Sequence, residues 1–321
     1  MACSTLGSGT PRVATQAATT PTVGVQEIHR PARSLWKDAW YTFTRDKLAM
    51  GGLFVLAFLV LAVLVGPYVY GGSSSEIDFA IALQGPSFAH PMGTDDLGRD
   101  LLARVLNGGR ISIAVGITSV LLAITLGTTI GALAGYFGRL DNPLMRLTDL
   151  FLSLPILPLL LVLVYLFRET LATIFGPELG VFLMIVFVIG ILNWMAVARL
   201  VRASFLSLKN KEFVEAARCV GCQDGRIIFK HIMPNVLSPV LVAATIGVGG
   251  AILTESTLSF LGLGFPSDVP TWGRILFDAA NFIDIGAHWV IFPGLCICII
   301  VLSINFIGDG LRDALDPRRK I

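Results

Sequence analysis

Six stretches of the chain carry no charged side chain over a length suited to crossing a bilayer. They are Leu48 to Tyr70, Ile111 to Phe137, Leu150 to Phe167, Val181 to Ala198, Val236 to Thr254 and Trp289 to Gly308. At 1.5 Å per residue each reaches across an apolar slab of about 30 Å, some with help from flanking residues. Hydrocarbon offers the backbone no water, so such runs satisfy their peptide groups internally as helices. They lack the alternation of lipid-facing strands, which excludes a barrel. The pattern predicts an all-α, polytopic membrane protein with six transmembrane helices over residues 48–318.

Two shorter patterns precede the first span. In SLWKDAWYTFTRDKLAM, helical spacing puts Leu35, Trp36, Ala39, Trp40 and Phe43 on one face, with Lys37, Asp38 and Arg45 elsewhere. Residues 34–47 read as an interfacial amphipathic helix anchored in lipid by Trp36 and Trp40; the alternative is a plain cytoplasmic helix packed on the hairpin described below. Residues 1–33 are rich in Ala, Thr and Pro and poor in large apolar side chains, which predicts a disordered cytoplasmic tail. That tail lacks the apolar core of a cleavable signal peptide, so the first span is expected to serve as an uncleaved start-transfer segment.

Within the spans, Gly127, Gly131 and Gly135 recur every fourth residue, a stripe that lets two helix backbones approach closely. Packing is the favoured reading over a lining role. Pro155 and Pro158 are expected to bend the third span, because each removes a backbone donor and crowds the preceding turn. No internal repeat is visible, which argues against the repeat-built secondary transporters.

Composition agrees with the pattern: of 321 residues 54% are hydrophobic and 14% charged, well below the roughly 25% charged residues of soluble chains. A net charge of +2 gives no ground for nucleic-acid binding. Placement says more than the sum. With the N-terminus inside, nineteen of the 24 Lys and Arg residues fall on the cytoplasmic side, leaving Arg99, Arg104, Arg110, Arg168 and Arg274 outside. The positive-inside rule therefore puts both termini in the cytoplasm. Residues 71–110 become the first extracytoplasmic segment, and 204–235 a cytoplasmic loop between two spans.

Covalent and metal chemistry find little footing. Cys219 and Cys222 form a lone C-x-x-C without the second ligand pair of a zinc site, and Cys296 and Cys298 lie in an apolar run. No cysteine falls in an outer segment, so no disulfide framework is implied. His90, His231 and His288 fall on both sides of the membrane by this topology. No G-x-x-x-x-G-K-[ST] phosphate cradle occurs, so no cofactor is expected in this chain, and ATP would need another subunit.

The loop from Glu212 to Asn235, EFVEAARCVGCQDGRIIFKHIMPN, is the exception to all this apolarity. Phe213, Val214, Ala217 and Val220 recur at helical spacing and Gly221 interrupts them; Asp224 is a plausible N-cap, and Ile228, Ile232 and Met233 resume the pattern before Pro234. A short helix, a tight turn and a second short helix are predicted, with Ala217 expected beside Phe213 and Val220 on a face open to a partner. This is the shape of a docking element.

Glu215, Ala216 and Ala217, then Gly221, then Ile232, Met233 and Pro234 resemble the EAA loop of ABC importer permeases. KHIMPN is similar to the version found in the peptide and nickel permease subfamily, although His231 and Met233 depart from the general pattern. HPMGTDDLGRDLLARVLNGGRIS, ESTLSFLGLG and GDGLRDALDPR carry the resemblance onward, in order, across about residues 34 to 318. Together they resemble the second, OppC/DppC-like permease of dipeptide or oligopeptide importers.

That resemblance implies the type I ABC importer permease fold in a bacterial cytoplasmic (inner) membrane. It implies half of a translocation path shared with a homologous second permease, and two cytoplasmic ABC ATPase subunits that bind ATP and Mg. It also implies an extracytoplasmic substrate-binding protein and a peptide substrate. Glu215, Ala216, Ala217, Gly221, Ile232 and Pro234 would couple the chain to the ATPase, with no catalytic residue of its own. Glu255, just beyond the fifth run, is a possible outer-gate residue, or a partner for Arg110 or Arg274. The alternatives are a nickel or nickel-chelate permease of the same family, a proton-coupled carrier using Asp149 or Glu255, or a non-transporting membrane scaffold.

Overall fold

The computed structural model describes residues 35–315, which are helical apart from one long loop and short connections. The expected tail and the basic C-terminal residues Arg318 to Lys320 lie outside them. Helix α1 (Leu35–Arg45) is followed by α2 (Lys47–Val69), whose first amides are capped by the Asp46 carboxylate. After the loop come α3 (Leu101–Tyr136), α4 (Gly138–Ser153), α5 (Ile156–Phe175) and α6 (Pro177–Leu208). Next stand α7 (Glu212–Cys219), the single turn α8 (Asp224–Arg226), a π-helical turn Ile227–Ile232 and α9 (Met233–Phe260). The chain ends with α10 (Trp272–Ala279) and α11 (Ala287–Leu315). Among the described residues six helical stretches are long and apolar enough to cross a membrane, and each contains or overlaps one of the expected runs.

Several boundaries differ from the charge-free runs, because charged residues that form helices well extend a helix without breaking it. α5 continues through Arg168 and Glu169 to Phe175, where Gly176, at φ +89°, and Pro177 end it. The prolines expected to bend the third span instead begin it. α4 stops at Ser153, Pro155 caps α5 and Pro158 sits in the first turn, where no intrahelical donor is needed. Residues Leu101 to Arg110, expected in the outer segment, are already the start of α3.

α3 and α6 form the central pair and run parallel, since successive glycines meet successive α6 turns. A Cβ on Gly127 would collide with Trp194 and Val197, one on Gly131 with Ala198 and Val201, and one on Gly135 with Phe205. The stripe is thus a packing seam, as its spacing suggested. α5 lines the far side of α6, burying Leu160 and Val164 in the same cluster as Met184, Ile185 and Val188. α9 crosses α3, and α11 packs on α2 and α9. α1 seats Ala39 and Phe43 against Ala49 and Ala314, so its apolar face is shared between the chain and the exposed Trp40; the side chain of Trp36 lies outside the described ones.

The stretch from His90 to Arg104 ties the outer loop down. Asp100 Oδ1 caps α3 at the Ala103 amide (2.8 Å), while Oδ2 accepts from the Tyr70 hydroxyl (2.7 Å) and meets His90 Nδ1 (2.7 Å). Burial, with Asp100 beside it, pushes the Tyr70 phenol well above its ordinary range. Buried Arg104 pairs with Asp95 and with Asp278 of α10 (3.1 Å); Arg99 also reaches Asp95 (2.6 Å), and Arg274 reaches Asp278 (2.9 Å). One ionic chain therefore joins loop, α3 and α10.

Candidate coupling site

The hairpin starts where α6 leaves its seam. Lys209 Nζ donates to the Gly135 carbonyl (3.0 Å), pinning the end of α6 to the end of α3. Lys211 then turns the chain into α7. Val214 and Ala217 face inward and pack with Val201, Phe205, Ile227, Ile228, Ile232 and Val236. This overturns the expectation that Ala217 shares an open face with Phe213 and Val220: although it stands only about 40° from Phe213 around the helix, Ala217 is buried with Val214 in the hairpin's own core while Phe213 and Val220 stay exposed. Phe213 (42% exposed), Val220 (80%) and Phe229 (73%) crown the outer side, among exposed Glu212, Glu215, Ala216, Arg218 and Lys230.

The reversal at Gly221 is as its sequence implied. The Cys222 amide donates to Ala217 (3.0 Å) and the Gly221 amide to Arg218 (2.9 Å), a six-residue helix stop that requires positive φ at the fifth position. Gly221 has φ +82°, with open space where a Cβ would stand. Asp224 is not the N-cap; Gln223 holds that position, and the Asp224 carboxylate accepts from the Tyr136 hydroxyl (2.5 Å) at the end of α3. The hairpin is therefore tied to the end of α3 at two points, one before α7 and one just after the turn.

Pro234 does not end the second piece. The helix runs unbroken from Asp224 to Phe260, because the π turn widens the spiral by one residue just before the proline. The Met233 amide donates to Ile228, five residues back, and the missing amide of Pro234 falls where the ladder is already re-registered. Ile232 is fully buried and Pro234 exposed. A rod of roughly 55 Å thus leads from the hairpin to the opposite end of α9.

At that far end Glu255 is fully buried, with neither arginine as partner. Its Oε1 accepts from Ser259 (2.7 Å) and its Oε2 from Ser112 of α3 (3.0 Å), and the Ser112 oxygen also accepts from the Trp272 amide of α10 (3.3 Å). Arg110 instead donates to the Val63 and Leu64 carbonyls, and Arg274 pairs with Asp278. The place of Glu255 just beyond the apolar run Val236 to Thr254 points to a carboxylate only partly desolvated near the outer face; instead α10, folding back over α9, covers it. Asp149 lies in α4, outside the six candidate spans, in an exposed pair with Arg199 (2.5 Å). No local pattern pointed to the neighbouring Asp141, which holds Arg202 with both oxygens; that guanidinium keeps its carboxyl below the usual range. Among the described residues no group of three or more His, Cys, Asp or Glu is placed to hold a metal ion.

Six long apolar helices, a tethered polar hairpin and a continuous rod between that hairpin and the far end of α9 define a multi-pass membrane permease. The chain belongs to the family described as binding-protein-dependent transport system inner membrane component, whose model matches residues 99–321. Residues 34–86 match the N-terminal TM domain of oligopeptide transport permease C. The dipeptide transport system permease protein DppC of Alkalihalophilus pseudofirmus is 42% identical over 90% of this chain and 92% of its own length. The oligopeptide permease OppC of Haemophilus influenzae is 41% identical over 92% of each, and the glutathione permease GsiD of Pectobacterium atrosepticum 38% identical over 94% and 96%. A solved structure of the inward-facing MetNI methionine ABC transporter shares the fold. It superposes with a TM-score of 0.54 at 20% identity, covering 66% of this chain and 96% of that one.

Proposed function

We propose that the chain is one of two permease subunits of an ATP-driven importer of di- or oligopeptides. Identity near 40% to dipeptide and oligopeptide permeases over nine-tenths of their length supports the substrate class. The nickel alternative gains no support from the relatives named above. The partners are a homologous permease, two ATPase subunits that bind ATP and Mg, and an extracytoplasmic binding protein. Both termini and the hairpin lie in the cytoplasm of a bacterial cell, as the Lys and Arg distribution supports.

The observation that carries the coupling role is the hairpin's division into a buried root and an unpartnered crown. Phe213, Val220 and Phe229 offer an ATPase an apolar knob with charge nearby, and Glu215 and Ala216 of α7 are exposed as well. Ala217, Ile232 and Gly221 act from beneath, by holding the knob at a fixed angle. Because α8 to α9 is one unbroken helix, displacement of the knob is carried into α9, which is how nucleotide-driven closure biases the path between two states. Glu255 sits where the rod meets α3 and α10, so its part in an outer gate is to hold that junction rather than to face the path.

The test is reconstitution. The permease pair and ATPase, purified together and placed in proteoliposomes with the binding protein, should take up labelled dipeptide only with ATP. Uptake without ATP, driven by a proton gradient, would return the carrier reading.

A further inference from the structure

The outer half of α5 reads YLFRETLAT from Tyr165 to Thr173. At 3.6 residues per turn, Arg168, Ala172, Tyr165, Glu169 and Thr173 fall on one arc about 140° wide. Leu160 and Val164 are turned away from that arc and buried against α6, whose Gly180 lies on the Leu171 and Ala172 backbone. Tyr165 is 79% exposed, Glu169 and Thr173 are exposed, and Arg168 is half-buried at the edge of the α6 contact. Among the described residues neither Arg168 nor Glu169 has a hydrogen-bond or ion-pair partner, not even each other.

Depth makes this unusual. α5 is 20 residues long, about the 30 Å of an apolar core, and Arg168 stands seven residues before its end at Phe175, so roughly 10 Å inside that end. Ionised groups at such depth face water or a counter-charge, not acyl chains. Lipid would suit the opposite exposed face, where Phe167 and Ile174 stand, but not this one.

We propose that the strip of Tyr165, Glu169 and Thr173 lines the translocation path, with Arg168 and Glu169 meeting the carboxylate and ammonium of a zwitterionic peptide. The strip carries both signs of charge on adjacent residues, plus a phenol on the preceding turn. A zwitterion needs both charges, and each is left free by the described residues. The ligand rests on the peptide reading above; the position of the path does not.

The assembled importer, in a cysteine-free background, tests position and ligand separately. Single cysteines at Tyr165, Glu169 and Thr173 should react with a charged, water-soluble methanethiosulfonate at least tenfold faster than cysteines at Phe167 and Ile174. Turnover with peptide-loaded binding protein should slow the fast set. Arg168→Gln and Glu169→Gln should each lower dipeptide uptake per ATP at least fivefold, with the binding protein's own peptide affinity unchanged. Uniformly slow labelling would mean that lipid or the second permease seals the strip, and would overturn the proposal. Fast labelling in a wild-type complex that moves no peptide would keep the path and remove the zwitterion assignment.

Discussion

Gly221 and Ala217 show how differently two residues of one short motif act. The Cβ of Gly221→Val meets no neighbour, but a β-branched side chain at φ +82° is strained, so the helix stop should loosen without loss of existing packing. Ala217→Asp buries an unpaired carboxylate among Ile227, Ile228 and Ile232, at a cost of several kcal/mol. The first variant should insert normally and lose uptake; the second should fall in membrane abundance as well, whereas Ala216→Asp, on the open surface, should not. Immunoblots of membranes beside uptake assays check all three. Glu255→Gln keeps its reach to Ser112 and Ser259 and should insert normally, with uptake within about twofold of wild type. Glu255→Leu leaves the buried Ser112 and Ser259 hydroxyls without an acceptor, which costs about 1–3 kcal/mol per group and should lower the melting temperature of the purified complex.

At the scale of elements, α4 is fastened to α6 by the Asp141–Arg202 and Asp149–Arg199 pairs. Because the folded Asp141 carboxyl lies below its unfolded value of about 3.9, its contribution is fully present above that value and fades as pH falls through the lower, folded one. The melting-temperature gap between wild type and Asp141→Asn in detergent should therefore be flat from neutral pH to about 5 and close at lower pH. A gap that widened on acidification would contradict the pairing. The partly exposed geometry keeps the effect modest.

Elements also show what the sequence could not reveal. Charge-free runs located six spans, yet they cut α5 short at Phe167 and α3 at Ile111, because hydropathy registers Arg168 or Arg110 as an end while the helix does not. Periodicity found the hairpin and its turn, but could not tell a face turned to a partner from a face turned to the chain's own core, and so misplaced Ala217. The burial of Glu255 depends on α10 folding back over α9, a long-range contact with no local signal.

For the whole molecule, the sidedness inferred from Lys and Arg supports every functional step. Cysteines at Ser74 and Asp268, in a cysteine-free background, should react with a membrane-impermeant thiol reagent in cells whose outer membrane alone is permeabilised. Those at Asn210 and Lys320 should be protected. Equal labelling at Asn210 would place the hairpin on the wrong side for an ATPase.

The central claim is that the exposed crown of the hairpin, not its buried root, transmits ATPase motion to α9. Phe213→Asp changes only that crown, so the measurement is the rate of ATP-driven dipeptide uptake in proteoliposomes containing equal amounts of wild-type or variant permease, with co-purified ATPase quantified alongside. Normal insertion, normal association with the second permease, loss of bound ATPase and uptake reduced at least tenfold are expected. Wild-type uptake by the Phe213→Asp complex would contradict that claim.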